Sequence, residues 1–353
     1  MRSELQREAM VDPAYHDRVY GCLLGGAIGD ALGAPIEFWS LPRIQREHGP
    51  EGVTDLVPMS AGLGLVTDDT QMTLFTAEGM IEAHRRSRTE PGVHAPSVVY
   101  QAYLRWLTTQ ETSEPPAGAT GLAAEPWLYA RRAPGNTCLS GLAAPGMGTL
   151  ARPKNPHSKG CGTVMRSAPF GLVRSASNGP EDAFDYAVEC AVTSHGHPTG
   201  YLAAGAFAAI IRLLIDDLPL VDAVHATLDI LRRRPHHEET SEALDHALKL
   251  ASTGRPTPER VEILGGGWVA EEALAIGVYA ALAYNEDERG LRPLVVAVNH
   301  SGDSDSTGSI CGNLIGAQYG SSALPADWME KVEGRQTIWE LSLAFAQEFF
   351  ERS

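Results

Sequence analysis

Apolar residues recur along most of the chain at the three- and four-residue spacing of helices. "VAEEALAIGVYAALAY" keeps that spacing and sets two acids at its start, where a helix N-terminus favours negative charge. "TDDTQMTLFTAEGMIEAHRR" opens on Thr67, a suitable cap, and closes on basic residues. "SVVYQAYLRWLTTQ" and "TIWELSLAFAQEFFERS" are amphipathic in the same way, whereas "YLAAGAFAAIIRLLIDD" is apolar on nearly every side and predicts a buried central helix. "PLVVAV" at 293–298 is a short, isolated candidate strand. Residues 111–160 are dense in Pro, Gly, Thr and Ala and predict a long loop or a set of short turns, and "STGRPTPER" at 252–260 predicts a second break. Loops this long in a compact domain are usually functional. The pattern predicts one mostly α-helical domain over residues 1–353.

Composition narrows the class. The net charge of -16 opposes non-specific attraction to phosphate backbones, so a nucleic-acid partner is not expected. Five scattered cysteines with no C-x-x-C pair predict reduced thiols and a cytoplasmic setting. The polar start "MRSELQREAMVDPAYHDR" lacks a leader's apolar segment, and the longest apolar run, 201–215, is interrupted by Arg212 and is short for a membrane span.

Candidate chemistry lies at the helix starts. In "GCLLGGAIGDALGAPIEF", Gly21, Gly25, Gly29 and Gly33 form one smooth stripe. Each costs about 1 kcal/mol against Ala in a helix interior, so close approach of another helix or of a ligand should compensate. Glu37 follows the helix exit and is a candidate acid or base. "VTDDTQMT" sets Thr67, Asp68 and Asp69 together, and one cap needs only one of them. "NHSGDSDSTGSIC" gathers Asp303, Asp305 and Ser306 with no Lys or Arg in the stretch. Two close carboxylates repel unless a proton or cation separates them, and Mg²⁺ takes such oxygen ligands. Two acid-rich helix starts can therefore converge on one binuclear site. A competing reading of "DSDS" after the apolar "LVVAV" as an aspartyl-phosphate motif also requires a surrounding parallel sheet and further motif residues downstream, but the motif lies near the C-terminus and the rest of the chain lacks an alternating βα pattern. "SKGCGTVMRSAPFGL" offers backbone donors around Gly160 and Gly162, with a structural role expected for Arg166; "SHGHP" and "LGGGWVAEE" add His195 and Trp268, each as readily structural as ligand-facing.

"GCLLGGAIGDALGAPIE", "VTDDTQMT", "GCGTVMRSAP", "SHGHP" and "NHSGDSDSTGSICGNLIGA" occur in that order between residues 21 and 320. As an ordered set they resemble the ADP-ribosylglycohydrolase family. The resemblance implies an orthogonal all-α fold with two Mg²⁺ ions in a cleft, Mn²⁺ being able to substitute, and hydrolysis of the bond between ADP-ribose and an acceptor. It implies metal ligation by Thr67, Asp68, Asp69, Asp303, Asp305 and Ser306. It gives catalytic roles to Glu37, Asp68 and Asp69. Ser158, Gly160, Cys161 and Gly162 match its pyrophosphate loop, with Cys161 standing where several relatives have Asn. His195 matches a ribose-side contact and Trp268 an adenine-side one. The expected substrate is ADP-ribosylarginine of a modified protein, handled by a monomer. Serine-linked ADP-ribose, O-acetyl-ADP-ribose, a nucleobase linkage, or binding of ADP-ribose without catalysis are the alternatives.

Overall fold

The computed structural model describes residues 11–175, 178–284 and 290–350. The expectations for residues 1–10 and 351–353 fall outside them. Ten helices carry the argument: α1 (Pro13–Gly33), α2 (Asp68–Ser87), α3 (Ala95–Glu111), α4 (Pro180–Ala191), α5 (Pro198–Ile215), α6 (Glu238–Ser252), α7 (Ala270–Ala281), α8 (Leu291–Val298), α9 (Ser304–Tyr319) and α10 (Arg335–Phe349). Among the described residues β structure is limited to isolated bridges, such as Gly160 with Val269. One cluster of buried apolar side chains runs from Val11 to Phe349 and includes nearly all of α5, as its Ala-rich pattern predicts.

The glycine stripe of α1 meets a second stripe on α9 that the sequence reading did not single out. The helices run antiparallel, and a Cβ added at Gly21, Gly25, Gly29 or Gly33 would overlap the backbone of Gly320, Gly312, Gly308 or Ser304 respectively. The reverse also holds: a Cβ at Gly308, Gly312 or Gly316 would strike the carbonyls of Gly29, Gly25 and Gly21. The contact is backbone against backbone, close enough for Cα–H to meet carbonyl oxygen. Beside it, Asn313 Nδ2 donates to the Cys22 carbonyl at 2.8 Å. The antiparallel pairing sets the end of α1 beside the start of α9.

Two expectations are corrected. Residues 291–298 form helix α8, not a strand. Among the described residues no neighbouring strand is present to complete a ladder, and as a helix the segment buries Leu294, Ala297 and Val298. Asn299 then ties its end down, donating from Nδ2 to the Val295 and Val53 carbonyls. Apolar length was also underestimated. Pro13–Ile36 and Pro198–Ile215 are long and apolar enough to cross a membrane, yet 89% of an 18-residue stretch in each is buried inside the fold. Within 111–160 the chain makes 3₁₀ turns at Gly121–Ala124 and Pro126–Leu128 and a helix at Asn136–Ala143.

Gly29→Ala tests the helix contact. Its Cβ would meet backbone that no side-chain rotation can clear, so a loss of about 2 kcal/mol or more in denaturant unfolding is expected. Wild-type stability in that variant would show that the helices separate freely.

Candidate active site

Three chain segments end at one cavity of about 440 Å³. Glu37 arrives from the exit of α1, Asp68 and Asp69 from the first turn of α2, and Asp303, Asp305 and Ser306 from the start of α9. Gly160, Cys161, Gly162, His195 and Trp268 line the same cavity, as do residues 133–138 of the loop that the sequence left unread. Two expected residues stand elsewhere. Thr67 lies behind the lining, its hydroxyl accepting from the Asp69 N–H at 3.3 Å as the cap of α2. Ser158 lines an adjoining groove that shares Asn136 and Thr137 with the cavity, and its hydroxyl is 3.0 Å from that of Thr137.

The carboxylates are strongly uncompensated. Glu37 is pushed up to about 10 by burial and then by Asp305, Asp303, Asp68 and Asp30. Burial, followed by the Asp305 charge, raises Asp68, Asp69 and Asp303 well above the ordinary range. Such a set needs protons or a cation. Ligand atoms of Glu37, Asp303 and Asp305 lie within 4.8 Å of one another. Asp69 is 2% exposed, and its Oδ1 has no hydrogen-bond partner. A buried, unpartnered carboxylate oxygen beside clustered acids fits a hard divalent cation.

Asp30, which the sequence reading passed over, holds this arrangement together. It is fully buried in α1 and accepts from the Thr67 N–H (3.1 and 3.0 Å), the Thr70 N–H (3.1 Å) and the Thr70 hydroxyl (2.5 Å). One helix thereby caps another and aligns Asp68 and Asp69. A lone acid inside an apolar helix was the available signal.

Arg166 is buried and does not line the cavity. Its guanidinium reaches Ser194 Oγ at 2.6 Å and Cys138 Sγ at 3.4 Å and covers the Tyr103 ring. Ser194 Oγ in turn is 2.9 Å from His195 Nδ1, so the other ring nitrogen, Nε2, is left on the side of Gly160 and Gly162. Burial, then Arg166, lowers His195 to about 3, which keeps the imidazole neutral.

Trp268 follows a turn in which Glu272 accepts from the Gly266 and Gly267 N–H groups at 2.9 and 3.2 Å. Its ring stacks on Phe38, with centroids 5.2 Å apart. Both rings are exposed at the cavity mouth, and Phe38 has φ 68. A left-handed non-glycine residue costs on the order of 1–3 kcal/mol, here spent directly beside Glu37. The Cys161 N–H donates to the Trp268 carbonyl at 3.2 Å, which joins the glycine loop to this turn.

An all-helical fold that brings buried carboxylates from several helix ends into one cavity fits an enzyme able to hold a cation. The ADP-ribosylglycohydrolase family model matches residues 11–353, and the chain belongs to that family. The ADP-ribosylarginine hydrolase Tri1 of Pseudomonas putida (strain GB-1) is 28% identical over 342 residues, 96% of this chain and 79% of that protein. The ADP-ribosyl-[dinitrogen reductase] glycohydrolase of Rhodospirillum rubrum is 25% identical over 332 residues, 92% and 93% of the two chains. A solved structure titled ADP-ribosylglycohydrolase-related protein complex superposes with a TM-score of 0.67 at 23% identity, covering 95% of this chain and 99% of that one, and shows the shared fold. The protein is thus an ADP-ribosyl glycohydrolase, an enzyme acting on ADP-ribosylated substrates.

Two predictions follow from the site's supports. Asp30→Asn turns an N–H toward donors it should accept from, so a stability loss of about 1–3 kcal/mol is expected, with turnover falling as α2 shifts; intact stability and turnover would exclude the positioning role. His195 concerns pH. The unfolded imidazole takes a proton near 6.5 and the folded one only near 3, so the fold loses stability as pH falls through that window. The His195 ring resonance should therefore stay flat from about pH 5 upward, and His195→Gln should reduce the acid-side loss in stability. A ring midpoint at the ordinary value would contradict the buried neutral imidazole.

Proposed function

We propose that the protein is a Mg²⁺-dependent hydrolase that releases ADP-ribose from arginine of a modified protein. The observation that carries the reading is the convergence of Glu37, Asp68, Asp69, Asp303 and Asp305 on one cavity, with Asp69 Oδ1 buried and unpartnered. Thr67, Asp68, Asp69, Asp303, Asp305 and Ser306 would hold two ions, with Mn²⁺ as a substitute. Bound there, the metal supplies Lewis acidity toward sugar hydroxyls and a more acidic water.

The remaining chemistry belongs to the chain. Cleavage at C1″ of the ribose builds oxocarbenium-like positive charge, which the surrounding carboxylates stabilise. Glu37 or Asp68 handles the proton passed between water and leaving group. Gly160, Cys161 and Gly162 hold the pyrophosphate and His195 meets the ribose side as a neutral group; Ser158 reaches the ligand from the adjoining groove. Trp268 stacks on adenine through the ring face that Phe38 does not cover, or after displacing Phe38. Arginine as acceptor is supported by the named activity of the Pseudomonas relative, a modified protein as substrate by that of the Rhodospirillum one, and an acid-lined cavity suits a guanidinium. The net charge of -16 counts against a nucleic-acid acceptor. Five free cysteines suit a reducing cytoplasm, where we expect a monomer.

The test is a panel of arginine-, serine-, O-acetyl- and nucleobase-linked ADP-ribose, assayed with Mg²⁺ and with chelator. Release from arginine alone, abolished by chelator, is expected. Glu37→Gln should lower turnover about 10²-fold or more while ADP-ribose still binds by calorimetry. Undiminished turnover in that variant would remove Glu37 from the mechanism, and preference for another linkage would replace arginine as the acceptor.

A further inference from the structure

Cys161 occupies an unusual place for a thiol. It is the one cysteine of the five that is only half-buried, and it stands in the acid-lined cavity. Its Sγ lies 2.7 Å from Asp303 Oδ2 and 3.7 Å from Ser306 Oγ, so it touches the start of α9. Its backbone is pinned by the N–H bond to the Trp268 carbonyl, and the contact with Asp303 shows where the sulfur points. Asp69, 2% exposed, lines the same cavity with Oδ1 unpartnered and is near enough for its charge to act on Cys161. A sulfur and carboxylate oxygens thus face one space in which a buried ligand atom still lacks a partner.

We propose that Cys161 Sγ is a donor to the cation that the acidic cluster holds, so that this chain takes thiophilic divalent ions of the cadmium, zinc and cobalt kind more tightly than an all-oxygen site would. The inference rests on the cation-binding part of the reading above and adds to it the identity of a soft ligand. Oxygen-only sites favour Mg²⁺, Ca²⁺ and Mn²⁺, whereas a thiolate shifts preference toward softer ions. The exchange balances simply. The Cys161 S–H proton, now directed at Asp303, leaves to solvent, and the sulfur's electron pair goes to the metal. The one ion that Cys161 ligates displaces a single proton from its thiol, in addition to any that it displaces from the carboxylates.

Two other cysteine roles fit the structure less well. A redox sensor needs an electropositive setting that favours the thiolate, and the neighbours of Cys161 are acids. A disulfide with Cys138 would have to break existing contacts, since Cys138 is buried, donates to the Gly162 carbonyl at 3.6 Å and lies against Arg166.

The experiment uses the whole protein, stripped with chelator and titrated with Cd²⁺ alone. Thiolate-to-cadmium charge transfer gives an ultraviolet band that reports sulfur coordination without any assay of activity. Wild type should develop the band to saturation. Cys161→Ser and Cys161→Asn should lose it, with Cd²⁺ affinity falling at least about tenfold, the lower end of what loss of a metal site's supporting partner costs. Cys138→Ser should retain it. A Mg²⁺-dependent rise in melting temperature, measured on the same samples, should persist in both Cys161 variants and so report that they fold and still bind a hard ion. A band that survives in the Cys161 variants, or moves with Cys138→Ser, overturns the assignment. No band in wild type, with the Mg²⁺ shift intact, overturns it while leaving the acidic cation site standing. Neither band nor Mg²⁺ shift in wild type removes both this inference and the metal reading beneath it.

Discussion

The contact between α1 and α9 is the constraint on which the site depends. Helix axes usually lie 8–10 Å apart because side chains fill the space between them. Here glycines remove that spacer on both helices, and each stripe's backbone occupies the room where the other's side chains would be. The helices run antiparallel, so the contact of Gly33 with Ser304 carries Glu37 and Asp305 to the same end. Any residue larger than glycine in the stripe pushes apart two elements that together present most of the cluster. The roughly 1 kcal/mol of helix propensity lost at each glycine is offset by a geometry that ordinary helix packing does not reach.

Bringing the acids together creates an electrostatic cost, and the surrounding contacts keep the chain from relieving it by moving. Asp30 fixes the start of α2 through three donors. The Asp303 N–H donates to the Gly266 carbonyl at 2.8 Å, and Asp303 Oδ1 and Asp305 Oδ1 both face the Ser306 N–H. These bonds orient carboxylates whose mutual repulsion would otherwise turn them outward. Rigid helix starts are good platforms for such a task, since their free N–H groups favour negative charge as well as position it. A cation entering this cavity meets ligands already arranged and supplies the charge that the fold itself withholds.

The sequence showed more of the site than of its supports. Helical periodicity identified most of the long helices, though not Glu238–Ser252, and Asp68 and Asp69 do meet Asp303, Asp305 and Ser306 in one cavity. Local pattern failed at 291–298, where β-branched residues read as a strand and packing made a helix. It was also silent on pairing. The α1 stripe was visible as a surface needing a partner, but the partner lay nearly three hundred residues away, and the equal spacing of Gly308, Gly312 and Gly316 was the signal that went unused. Asp30 and Phe38 were missed for a related reason. Each stands beside a residue that was noticed, and each acts through a contact distant in sequence: Asp30 on α2, and Phe38 on Trp268.

These distances separate what the fold must keep from what it can vary. The carboxylates arise from helix ends locked by backbone contact, where a change of one side chain disturbs several others. The rest of the wall comes from connecting segments, namely residues 133–138, the glycine loop at 160–162 and the turn leading to Trp268. Those segments are seated by hydrogen bonds: the Gly135 N–H on Asp68 Oδ2 at 3.2 Å, and the glycine loop on the Trp268 turn through the Cys161 N–H to the Trp268 carbonyl and the Ala270 N–H to the Lys159 carbonyl. A substitution there alters what the cavity receives without moving the helix starts. Cys161 illustrates the point: it changes the chemical character of the wall from the loop side, and the backbone bond that seats it requires nothing of its side chain. Acceptor and ion preference can therefore diverge among proteins that share this helical frame, while the acidic cluster remains tied to the two glycine stripes.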